Sequence, residues 1–185
     1  EKPKAPAKPK GPNDIIKKLP KSTMVIDAWK KVYSCATKTE EGKTQVMDEF
    51  FNNFDAAGYG VWDASYNYDD DNTLLWKTGN LVEGVCARFD ELRKHMFGTI
   101  QILCVKPGEN GKGNIKLRGC FLCRDAENGA KHMQTVNPDA EYWTFKKLDV
   151  STAEGKATLI DRWTKIYENG KCQGDLTVYD AVEFK

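Results

Sequence analysis

The stretch NIKLRGCFLCRD, residues 114–125, is open to three readings. Cys120 and Cys123 form a Cys-x-x-Cys pair with His132 a little further on, which suits half of a zinc site, a thiol switch or a plain β-strand. A structural zinc site takes four ligands, commonly as two close pairs. Here Cys35, Cys86, Cys104 and Cys172 stand alone, and His95 and His132 are not at ligand spacing from each other. A redox pair is usually set at the start of a helix, where the dipole lowers one thiol's pKa. In a strand, residues three apart project to opposite faces and the two sulfurs diverge. The strand reading is favoured, and it predicts a sheet.

Working outward, GTIQILCVK before this stretch and EYWTFKKLD after it read as strands, and YGVWDASYNY as another,. PGENGKG, residues 107–113, joins two of them as a hairpin. Gly108, Gly111, Lys112 and Gly113 lack the spacing of a phosphate-binding Walker loop. The acidic run Asp69 to Asp71 reads as a turn, because the alternating ligands and terminal Glu of a calcium loop are missing.

Four helical segments accompany the strands. Ser22 or Thr23 is placed to cap a helix carrying Val25, Ile26, Trp29, Val32 and Tyr33 on one face,. A second helix holds Val46, Met47, Phe50, Phe51 and Phe54, with Gly58 placed to end it. In NLVEGVCARFDELRKHMF, Asn80 and Glu83 have capping-box spacing, Leu81, Val85, Cys86, Phe89, Leu92 and Met96 share a face, and Arg93 and Lys94 suit the helix's end. Ser151 and Glu154 offer a second capping box for a helix burying Leu159, Ile160, Trp163, Ile166 and Tyr167. Hairpin-linked strands separated from helices predict an α+β fold, an antiparallel sheet of about five strands flanked by helices in a single compact domain.

Composition agrees with a packed interior: 40% of residues are hydrophobic and 11% aromatic,. The net charge of +1 hides an asymmetry. Seven lysines against Glu1 and Asp14 give the first 21 residues +5, leaving −4 for the rest. An acidic body argues against a fold whose main task is gripping phosphate backbones. Five prolines fall in the first 20 residues among lysines, so residues 1–19 read as a disordered spacer and 20–185 as the domain. A linker at the start implies something attached before it. No apolar run is long enough for a membrane helix and the opening residues lack a secretory signal, so free thiols in a reducing cytoplasm are expected.

Three quoted stretches carry a resemblance. KST at residues 21–23 begins a helix, FDAAGYGVWDASYNY spans 54–68, and NLVEGVCARFDELRKHMF spans 80–97; YWTFKKLD and the closing EFK follow. In order and spacing this resembles the carboxy-terminal domain of the translation elongation factor 1 gamma family, over about residues 19–185. The resemblance implies a non-catalytic scaffold in a guanine-nucleotide exchange complex that supports translation elongation in the cytoplasm. The implied partners are the exchange subunit beta and the GTPase alpha, with an aminoacyl-tRNA synthetase or RNA as further candidates and no membrane. It carries over no catalytic residue, cofactor or metal, and Cys120 and Cys123 are not part of its pattern.

Arg88, Arg93 and Lys94 are the candidate partner-binding residues, since long charged side chains should project beyond the apolar stripe. Ion pairing with Asp90, Glu91 or Glu83 on the same helix is the simpler account of them. Two other functions stay open. One is an RNA-binding module in which Trp62 and Tyr66 stack bases beside Arg93 and Lys94. The other is a thiol redox domain using Cys120 and Cys123.

Overall fold

The Cys-x-x-Cys stretch is a strand, β3 (Ile115–Arg124), near the middle of an antiparallel sheet. The structure is a computed structural model and describes residues 11–37, 39–104, 114–165, 172–173 and 176–185. Around β3 lie β1 (Tyr59–Tyr66), β2 (Met96–Cys104), β4 (Trp143–Lys147), β5 (Cys172–Gln173) and β6 (Leu176–Phe184). Their order is β4-β1-β3-β2-β6-β5 and every neighbour is antiparallel. Five strands are of substantial length, as expected; β5 is a two-residue edge. The hairpin loop expected at 107–113 lies outside the described residues.

The helices are α1 (Pro12–Ile16), α2 (Ile26–Cys35), α3 (Glu40–Asn53), α4 (Leu75–Arg88), α5 (Gly129–Val136) and α6 (Ala153–Thr164). Strand alternation sorts the core into two layers. On one face Trp62, Ala64, Ile100, Ile102, Leu117, Phe121 and Cys123 pack under α4, α5 and Ile16 of α1. On the other, Tyr59, Val61, Phe97, Cys120 and Leu122 meet α2, α3 and α6, whose Trp29, Phe50 and Trp163 form one aromatic cluster. Polar side chains of β2 finish the second layer. Thr99 and Gln101 donate to the carbonyls of Arg162 and Asp161 in the last turn of α6, at 3.0 and 2.9 Å, where helical carbonyls lack partners.

Several helix boundaries differ from the sequence expectation, each for a local reason. Helix α4 begins at Leu75, so Asn80 is an interior residue and not a cap. Leu75 and Thr78 extend the buried stripe of Val82, Val85 and Cys86 upstream, and that burial outweighs the capping-box pattern,. The same helix stops at Arg88; Asp90–Leu92 form a short 3-10 turn and Met96 belongs to β2. Arg93 and Lys94 therefore sit on a connecting loop, not on a helix end. Ser22 does not cap α2, whose N-cap is Val25. Its hydroxyl donates to Asp55 Oδ2 at 2.5 Å and accepts from the amide of Met24. For α6 the cap is Thr152, which accepts from the amide of Gly155 at 3.0 Å, one residue beyond Ser151. Helix α3 ends at Asn53, before Gly58.

The stretch read as a spacer carries α1. Ile16 is buried in the core and Leu19 packs against it, so that one isoleucine among the lysines supplies an apolar anchor while Ile15 stays exposed. Leaving β3, the chain turns at Asp125 with φ of 77°. That strained conformation is offset by the Asp125 carboxylate, which accepts from the Asn128 amide and lies 2.9 Å from His132 Nε2,.

Candidate functional site

Cys120 and Cys123 are both fully buried, one in each core layer, on opposite faces of β3. Burial pushes both thiols well above their ordinary range,. They cannot form a bond with each other or share an ion, so the redox reading of the pair is withdrawn. Burial also pushes the Cys86 thiol up to about 12, whereas Cys35 is exposed. Brief alkylation of the native protein is therefore expected to modify Cys35 and spare Cys86, Cys104, Cys120 and Cys123 in peptide mapping by mass spectrometry; fast labelling of Cys120 or Cys123 would contradict this placement.

The RNA reading fails at Trp62. This residue is 8% exposed and sits in the core with Ala64 and Cys123, so its ring offers no face to a base. Tyr66 is half-buried against Trp143, with ring centroids 5.3 Å apart.

The three basic candidates are not brought together. Arg88, in the last turn of α4, pairs with Asp139 at 2.7 Å, tying the helix to the 3-10 turn Pro138–Tyr142. Arg93 pairs with Asp90 at 2.7 Å, donates to the carbonyl of Lys185 at 2.7 Å, and lies over the ring of Phe184 at 5.1 Å. It clamps the end of β6 to the loop before β2. Lys94 is exposed and has no ion pair among the described residues.

Folding places other cations beside Arg93 and Lys94. Lys30 of α2 donates from Nζ to the carbonyl of Arg93. The main chain of His95 ties the loop to the sheet: its amide donates to the carbonyl of Leu92, and its carbonyl accepts from the amide of Arg124 at the end of β3. The Arg124 guanidinium donates to the carbonyls of Gly58 and Pro20 and lies 5.3 Å from the ring centre of Tyr59, anchoring the segment after α1.

His95 is the centre of this arrangement. Its imidazole is held below the ordinary histidine value first by burial, then by the positive charges of Lys17, Arg124, Lys30 and Lys94, and its Nε2 is buried without a hydrogen-bond partner. The Lys30 amine is likewise held down first by burial; Asp27 opposes that shift and Arg93 adds to it. Positive groups from α1, α2, the 93–95 loop and β3 thus converge on one end of the sheet, with Asp27, Asp90, Glu91, Asp55 and Asp125 as the neighbouring carboxylates. Lys17, Lys30, His95 and Arg124 were not singled out by sequence reasoning, since nothing in the linear spacing joins them; Arg124 is buried and its guanidinium is taken up by the two carbonyls.

Another concavity lies elsewhere. A groove of about 690 Å³ runs beside β1, floored by Phe51, Phe54, Val61 and Val150. Two of its charged side chains are already engaged: Lys147 pairs with Glu127 and Lys156 lies over the Phe51 ring.

The family model described as "Elongation factor 1 gamma, conserved domain" matches residues 11–127. The chain is 33% identical over 161 residues to an elongation factor 1-gamma of Schizosaccharomyces pombe, covering 85% of this chain and 36% of that protein. It is 34% identical over 178 residues to an elongation factor 1-gamma of Prunus avium, covering 96% of this chain and 38% of that protein. A probable elongation factor 1-gamma 1 of Arabidopsis thaliana is 32% identical over 184 residues, 100% of this chain and 40% of that protein. The chain thus spans about two-fifths of the length of these relatives.

Proposed function

The chain belongs to the elongation factor 1 gamma family, and from that premise we propose that it is a non-catalytic interaction domain within the gamma subunit of the elongation factor 1 exchange complex. Its basic end docks an acidic surface of a neighbouring subunit, the exchange subunit beta or the GTPase alpha, and so supports translation elongation in the cytoplasm. An aminoacyl-tRNA synthetase is a further protein that such a surface suits.

The observation that supports this reading is the placing of exposed Lys17 and Lys94 and half-buried Lys30 about the 93–95 loop, where Lys30 Nζ donates to the carbonyl of Arg93. Like charges held together oppose folding, and an acidic partner relieves that repulsion on binding. Of the three residues first singled out, Lys94 is the one without an ion pair among the described residues. Arg93 supports the same end but also clamps β6, and Arg88 is occupied by Asp139.

Charge reversal at Lys17 and Lys94 therefore tests the reading without touching the core, since both side chains are exposed. In the intact gamma subunit, the double variant Lys17→Glu, Lys94→Glu is expected to weaken binding to the purified partner subunits about tenfold, or roughly 1.4 kcal/mol. The salt dependence should flatten, and the thermal melt should not fall, since the reversal removes like-charge repulsion. In the wild type, a bound anion stabilises the imidazolium, so the NMR titration of His95 should move up when the partner is added. Unaltered affinity together with an unmoved His95 titration would refute the docking role.

A further inference from the structure

An acidic, aromatic surface lies where β1 ends. Tyr68 is 52% exposed and Tyr142 is 42% exposed. Their ring centroids are 6.0 Å apart at an interplanar angle of 72°, and Tyr66 continues the row at 6.0 Å and 69° from Tyr68. The row is held from below, since Tyr66 packs on buried Trp143 and the amide of Asn67 donates to the carbonyl of Tyr142 at 3.0 Å. Three rings fixed edge to face, two of them half in water, make a ridge.

The charges around the ridge are one-sided. Asp69 pairs with Arg118 and accepts from the amide of Leu117, and Asp139 pairs with Arg88. Asp70, Asp71 and Glu141 are exposed and have no ion pair among the described residues. The carboxylates act on the tyrosines themselves. The Tyr66 hydroxyl is pushed above its ordinary range first by burial and then by the charge of Asp71, and the Tyr142 hydroxyl first by its hydrogen bond with Glu141,.

The fold's own arginines show what such a surface selects. Arg93 lies over the Phe184 ring at 5.1 Å while its Nε donates to Asp90 at 2.7 Å, so a ring face and a carboxylate hold one guanidinium together. Arg124 lies over the Tyr59 ring with main-chain carbonyls as its acceptors. The ridge offers rings and carboxylates side by side, and no cation among the described residues lies over Tyr66, Tyr68 or Tyr142. A planar guanidinium stacks on a ring and forks onto a carboxylate, whereas an ammonium is a compact, strongly hydrated point charge.

We propose that the Tyr66–Tyr68–Tyr142 ridge, with Asp70, Asp71 and Glu141, docks an arginine-bearing segment of a partner protein. Its guanidiniums stack on the exposed rings of Tyr68 and Tyr142 and donate to the flanking carboxylates. The interface shares no residue with the basic end and takes a partner of opposite charge.

NMR titration of the full 185-residue chain with a capped tri-arginine peptide tests this, with a capped tri-lysine peptide of equal charge as the comparison. At low salt the ring resonances of Tyr68 and Tyr142 are expected to shift saturably with tri-arginine, while those of Tyr179 on β6, 55% exposed, stay in place. Tri-lysine should bind about fivefold more weakly. The double variant Asp70→Asn, Asp71→Asn should weaken tri-arginine binding roughly fivefold, and Tyr68→Leu should remove most of the preference for arginine over lysine. Unmoved Tyr68 and Tyr142 resonances with tri-arginine would overturn the proposal. Equal affinity of the wild type for the two peptides would overturn it as well, by reducing the ridge to an acidic patch.

Discussion

Replacing Trp163 by alanine is expected to lower the stability of the domain by about 3–5 kcal/mol, the cost of emptying a large aromatic site in a packed core. The side chain is fully buried and stacks on Trp29 with centroids 5.6 Å apart. It meets Phe50 and Phe97 edge-on at 4.9 and 5.1 Å. Its indole Nε1 donates to the carbonyl of Cys120 at 3.1 Å, so truncation also strands an acceptor of the strand beneath,. The tyrosine of the same cluster, Tyr33, donates its hydroxyl to the carbonyl of Trp163 itself and ties α2 to α6. Trp163→Phe keeps most of the volume and loses the indole donor; it should cost less than half as much. Chemical denaturation of the two variants separates packing from hydrogen bonding. A loss below about 1 kcal/mol for Trp163→Ala would mean that the second core layer is not held together as described.

The second large effect comes from adding a single carbon. Gly98 of β2 faces Phe121 of β3 in direct register. A methyl group at Gly98 would sit 2.1 Å from Cδ1 of the Phe121 ring and 3.0 Å from the carbonyl of Cys120. Phe121 is itself buried between Phe89 and Phe145, so the ring has nowhere to move. The aromatic ring folds over the glycine and fills the space a side chain would take, a pairing that recurs in sheets. Gly98→Ala is expected to cost about 2–3 kcal/mol by overpacking. Adding Phe121→Leu to the same chain should recover part of the loss, because the smaller side chain makes room. If the two changes are simply additive in urea melts, the ring does not occupy the place of the missing side chain.

How far the sequence foretold this structure depends on which forces act locally. The strands β1 to β4 were legible because aromatic and β-branched residues alternate along them, and the Cys-x-x-Cys question was settled by the two-residue period of β3,. Helix α4 was found but misplaced. Asn80 and Glu83 imitate a capping box, while the true start at Leu75 is fixed by burial that only the sheet supplies. Helix α5 begins at a glycine without a side-chain cap, and α1 hides two isoleucines among lysines and prolines. Both owe their existence to the core they cover. Of the basic residues, Arg88, Arg93 and Lys94 stood out in the sequence, whereas Lys17, Lys30 and Arg124 come from distant segments that only the finished fold brings near Lys94 and His95.

The proposal that this domain contributes a basic docking end to an exchange complex is open to a direct test. Hydrogen exchange read by mass spectrometry, on the gamma subunit alone and within the assembled complex, tests it most directly. The account predicts added protection in the complex for peptides covering residues 17–30 and 93–95, stronger at low salt than at high salt. Unchanged exchange there, with protection confined to other faces of the domain or to none of it, would contradict the account.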